Sequence, residues 1–132
     1  MPLSTDDALA MIAAAHARAA AEGAAISTAV VDAGGHLLAL VRMDRAPWLT
    51  ADSAHALAHT SAGFRTAGAN IERMAGAPWF QALTVQSHGM VAAATGALSV
   101  KRDGETLGAV ACSGASDAVD LACAEAALAA LA

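Results

Sequence analysis

Charge is what this chain has little of. Only 14% of its 132 residues are Asp, Glu, Lys or Arg, against 57% hydrophobic, and a chain that apolar does not stay disordered. The seven Lys and Arg are scattered and the net charge is −5. No basic stripe exists to neutralise phosphates, so nucleic acid is not expected as a partner. No apolar run approaches the roughly 20 residues of a membrane span without small, polar or charged interruptions, so no membrane partner is expected. Met1-Pro2-Leu3-Ser4 lacks a cationic stretch leading into an apolar one, so no secretory signal is expected either. Cysteine is nearly absent. Cys112 and Cys123 do not have zinc-knuckle spacing and fall on different predicted elements. They read as two buried free thiols in a reducing cytoplasm.

Aromatics are scarce too, at 3%, which leaves the core to alanine and aliphatic side chains. The length suits one domain over residues 1–132, large enough to bury a core without staples. Alanine-rich helix faces let a helix sit close to a sheet or to a second subunit. With so little charge to keep copies apart, a homo-oligomer is expected.

Ser4 caps a first helix, with Asp7 placed to return the bond, and Leu9, Ile12, His16 and Ala19 give it a stripe. Gly23 ends it. Ile26 to Val31 and His36 to Val41 read as strands joined by the Asp32-Ala33-Gly34-Gly35 turn. Thr50 is placed to cap a central helix running to about Thr66. Ala69 to Gly76 reads as a short helix, and Pro78 to Gly89 as irregular. Val91 to Ala94, Ala97 to Arg102 and Glu105 to Cys112 read as three strands, the last two joined by the Asp103-Gly104 hairpin signal. Ser116 caps the last helix, with Asp117 and Asp120 in its first turn. Hairpin-linked strands imply an antiparallel sheet covered by helices, an α+β fold.

Several blocks are similar to one family. Val30 to Ala39 resembles its first hairpin, Arg42 to Pro47 its next loop, and Thr60-Ser61-Ala62-Gly63-Phe64 the end of its central helix. Asp103 to Val110, Cys112-Ser113-Gly114 and Asp120 match its closing hairpin and last helix. The chain thereby resembles the GlcG/HbpS-like (DUF336) family, and also the C-terminal domain of PduO-type cobalamin adenosyltransferases. The resemblance implies a profilin-like fold, a five-stranded antiparallel sheet flanked by helices in the order α-β-β-α-β-β-β-α. It also implies assembly into dimers or larger rings. Members include haem-binding proteins and a companion of glycolate utilisation, so the family is not tied to one chemistry. Where it usually carries a Lys and an aromatic residue on the central helix, this chain has Leu57 and His59.

His55 and His59 stand four apart on the central helix and share a face. Such a pair can ligate one metal, share acid/base work, or simply form a polar face. Arg65 and Arg73 can hold a carboxylate, or be solvated. Asp44 is a loop-capping or a pocket carboxylate. Trp48 and Trp79 sit beside prolines, as core anchors or as walls of an apolar ligand site. His88 lies in an irregular segment, where function often resides. His16 reads as an interface residue, His36 as a hairpin or interface residue, and Ser113 as part of a turn.

Two functions fit these residues. The first is binding of haem or a similar flat apolar cofactor between sheet, central helix and a neighbouring subunit, with Asp44, Trp48, Arg65, Trp79 and His88 as contacts. The second is a cofactor-independent isomerase, lyase or cyclase, with His59 and His55 as general acid and base.

Overall fold

The computed structural model describes residues 1–131. The last residue of the expected single domain, Ala132, lies outside them. Helix α1 spans Thr5–Ala21, strand β1 Ser27–Asp32 and strand β2 Leu37–Arg42. Helix α2 spans Leu49–Phe64, α3 Gly68–Glu72 and α4 Pro78–Gln86. Strand β3 spans Ala97–Arg102, β4 Glu105–Ser113 and helix α5 Asp117–Ala129. No helix among the described residues is long and apolar enough to cross a membrane.

Local chemistry accounts for most of these ends. Ser4 Oγ accepts from the Asp7 amide at 3.0 Å while Asp7 Oδ2 accepts from the Ser4 amide at 2.9 Å, a complete capping box. The Ser4 amide first, and then the Ser4 hydroxyl, hold the Asp7 carboxyl below its ordinary pKa. Asp32 Oδ1 accepts from the Gly34 and His36 amides, which tightens the β1–β2 turn. Asp103 and Gly104 both have positive φ, as a two-residue hairpin requires. Ser116 Oγ accepts from the Val119 amide at the start of α5.

The sheet has four antiparallel strands in the order β2-β1-β4-β3. Its two faces are built differently. Ile26, Val30, Val110 and Cys112 point to α1 and α5, where they meet Met11, Ile12 and Cys123. Ala29, Val31, Ala109 and Ala111 point the other way, onto Ala54, Leu57, Ala58 and Ala62 of α2. Small side chains on both surfaces bring α2 close to the strands.

The sheet therefore lacks the expected fifth strand. Val91 to Ala94 is irregular, because side chains take up the backbone bonds just before and within it. Thr60 Oγ1 donates to Met90 O and accepts from the Ala92 amide. Thr84 Oγ1 donates to Val91 O, and Ser87 Oγ accepts from the Val91 amide. With these groups satisfied, the segment has little left for a ladder. The stretch expected to be irregular instead contains α4, which opens on Pro78, a residue preadapted to the first helical turn. Thr50 does not cap α2; its hydroxyl donates to Pro47 O at 2.7 Å and lies 2.8 Å from Ser27 Oγ. The helix stops at Phe64, where Arg65 turns left-handed.

Candidate functional site

The outer flank of α2 carries most of the candidate side chains. Trp48, at its N-cap, and Asp52, His55 and His59 follow at helical spacing along one side. His59 reaches the β1–β2 turn, where its Nδ1 lies 3.1 Å from Gly35 O. A carbonyl only accepts, so Nδ1 is the donor in this contact, and in the neutral imidazole the lone pair then lies on Nε2. Gly35 makes the approach possible. Its φ is +81°, and a Cβ there would stand 2.9 Å from His59 Nδ1.

Beside His59 lies a groove of about 110 Å³ lined by Thr60, Gly63, Phe64 and Val91. Its Val91 wall is fixed by the Thr60, Thr84 and Ser87 hydroxyls already described. Phe64 stacks on Phe80 with centroids 6.0 Å apart and tilts against Trp79 at 6.3 Å. Phe80 is buried and anchors α4, whereas Trp79 is 49% exposed. A larger groove of about 700 Å³ meets the first at Gly63 and is lined by Arg65, Asp103, Glu105 and Thr106 among others.

The structure thus brings His59, Trp79 and Arg65 around one end of α2. His55 is half-buried one turn before His59. Asp44 and Trp48 stand apart at the other end; eleven helical steps lead from Trp48 to His59, about 16 Å of rise. Trp48 is 71% exposed and so is not the core anchor that the apolar-inside rule expects. Trp79 is not one either; Phe80 takes that place. His88 is exposed at the end of α4 with positive φ. Arg73 is exposed beyond α3.

Sequence reasoning missed Gly35, Thr60, Gly63, Phe64 and Val91 as site residues. Gly63 stands four residues after His59, so extending the histidine spacing by one more turn reaches it. Val91 carried no such signal, because a remote hydroxyl places it. Away from the site, His16 Nε2 on α1 is buried without a hydrogen-bond partner among the described residues. Among the described residues no three His, Cys, Asp or Glu side chains are grouped to hold a metal ion.

Solved structures share this architecture. Klebsiella pneumoniae protein ORFY is 25% identical over 97% of this chain and 89% of its own, with a TM-score of 0.88. PduOC, solved as its heme complex, is 28% identical over 98% of this chain and 95% of its own, with a TM-score of 0.89. Streptomyces reticuli HbpS, as a double mutant, is 26% identical over 100% of this chain and 88% of its own, with a TM-score of 0.87. No curated protein matches the chain. The family model for "Haem degrading protein HbpS-like" matches residues 3–129, from just before the α1 cap to the last residue of α5, and the chain belongs to that HbpS-like family.

Proposed function

We propose that the chain binds haem, or a similarly flat apolar macrocycle, against the outer flank of α2, with His59 facing the metal. The observation that carries this reading is the His59 Nδ1 contact with Gly35 O, which leaves Nε2 as a free lone pair on an oriented ring. Metal-binding histidines are held in that way, their second nitrogen donating to a carbonyl or carboxylate. A porphyrin supplies four nitrogens of its own, so one protein ligand suffices and no three-residue cluster is needed. Phe64 and Trp79 offer aromatic surface beside the ring, and Arg65 a cation beyond Gly63. PduOC was crystallised with heme, and the family description names haem degradation. Iron porphyrin, when bound, would supply the redox chemistry. This chain would supply the ligand, the orientation and the apolar walls.

The groove is smaller than the roughly 300–1,000 Å³ that encloses a drug-sized ligand. Most of a haem would lie outside it. Trp48, Leu49, Trp79 and Val85 leave apolar surface open on α2 and α4, and a second copy of the chain is the cover we assign to it. His55, Asp44, Trp48 and His88 then act through that cover. The alternative of a cofactor-independent enzyme draws no support from the groove lining, where no carboxylate stands beside His59.

Titration of the purified protein with haemin tests the reading. A Soret shift in the wild type, and at least tenfold weaker binding in His59→Ala with the fold retained, are expected. No shift, or an unchanged titration in His59→Ala, overturns it. Light scattering that gives a monomer mass at micromolar concentration, with and without haemin, removes the second copy.

A further inference from the structure

Glycine in a helix is unfavourable, costing roughly 1 kcal/mol relative to alanine. The fold itself accounts for its other close-packed glycines. A Cβ at Gly96 would collide with Cys112 O, and one at Gly108 with Val31 O. Gly35 needs its positive φ. Gly63 has no such reason. It lies within α2, its φ is not in the left-handed region, it is exposed, and a Cβ there would meet nothing within 4 Å. It is also the residue that both grooves share, the apolar one beside His59 and the polar one beside Arg65. The protein's own packing leaves that space free, directly between the two.

We infer that Gly63 is a specificity-determining residue: its missing side chain lets a flat ligand lie on the α2 backbone and pass from the His59 groove into the Arg65 groove. The inference rests on the ligand reading above. It narrows the ligand class to planar molecules long enough to span both grooves, with an apolar body toward Phe64 and a polar edge toward Arg65 and Thr106. A small substrate confined to one groove would meet Gly63 from one side only and would not need the passage over it.

Gly63→Ala and Gly63→Leu test this, because ligand and fold predict opposite signs. Without ligand, both variants should melt at or above the wild-type midpoint, Gly63→Ala by about 2–5 °C, since a better helix former replaces glycine. With haemin as the probe, Gly63→Ala should bind several-fold more weakly and Gly63→Leu at least tenfold more weakly. A Gly63→Ala midpoint below the wild type would show that the fold needs the glycine and would overturn the inference. So would wild-type haemin affinity in both variants. A wild type that gives no Soret shift overturns the ligand reading and the inference with it, whereas a wild type that binds and variants that bind equally overturn only the role of Gly63.

Discussion

Replacing Gly35 by alanine should show how firmly His59 is seated on the β1–β2 turn. Two costs arise at once. Alanine at φ +81° pays the left-handed penalty, roughly 1–2 kcal/mol. Its Cβ also stands 2.9 Å from His59 Nδ1, so the ring must move and its bond to Gly35 O is lost, about 0.5–1.5 kcal/mol net. Together these amount to about 1.5–3.5 kcal/mol. At about 2.1 cal/mol/K per residue, a chain of 132 residues unfolds with an entropy near 0.28 kcal/mol/K, so the midpoint should fall by about 5–13 °C. The two costs separate in a double-mutant cycle. In a His59→Ala background the ring and its bond are already gone, and Gly35→Ala should cost only the backbone part. Calorimetric melts of the four proteins should therefore give a coupling of about 0.5–1.5 kcal/mol. Equal costs of Gly35→Ala in both backgrounds would show that His59 is not held by the turn, and the argument for an oriented Nε2 would go with it.

Arg65 turns left-handed at the end of α2, where glycine is preferred, so Arg65→Gly should raise the apo midpoint by a few degrees. A lowered midpoint would mean that the guanidinium holds the fold. Burial keeps the His16 pKa below 6.5, so the unfolded chain takes up a proton that the folded chain refuses. Stability should therefore decline as pH falls through about 6.5, and His16→Leu should flatten that part of a melting series between pH 8 and 5. An identical slope in the variant would assign the pH dependence to other groups. Burial pushes the Cys112 thiol up to about 12, so it should resist iodoacetamide at pH 8 in the folded protein and react once unfolded. Rapid native labelling of Cys112 would contradict its burial in the sheet.

What was legible in the sequence depended on how far each bond had to reach. The Asp32 turn, the Ser4 capping box and the Asp103-Gly104 hairpin are closed by groups two to four residues apart, and turn and cap chemistry alone placed them. The stretch from Val91 to Ala94 looked like a strand because propensity could not see Thr60, more than thirty residues earlier, taking the Ala92 amide. The bond between His59 and Gly35 was hidden in the same way. Each residue has a local signal, one its imidazole and the other its place in the Asp32-Ala33-Gly34-Gly35 turn, but the 24 residues between them conceal the contact.

These misreadings are not spread evenly over the molecule. The two hairpin pairings and the helices α1 and α5 follow from alternation, turns and caps. The elements that local rules misjudge are α4, the Met90–Ala92 segment and the exposed tryptophans, and they gather on the α2 side, several of them beside the His59 groove. That distribution has a physical cause. A core element uses its backbone bonds and apolar surface on its neighbours, so local preference and final structure agree. A ligand site must leave some of both unspent. On the α2 side, irregular backbone is held by Thr60, Thr84 and Ser87, Trp79 stays half-exposed, and Gly63 leaves open space on a helix. Each departs from what packing alone would favour, and such departures are expected to concentrate at functional sites. Their grouping around one imidazole is therefore an argument for a site on α2 that does not depend on any relative's ligand.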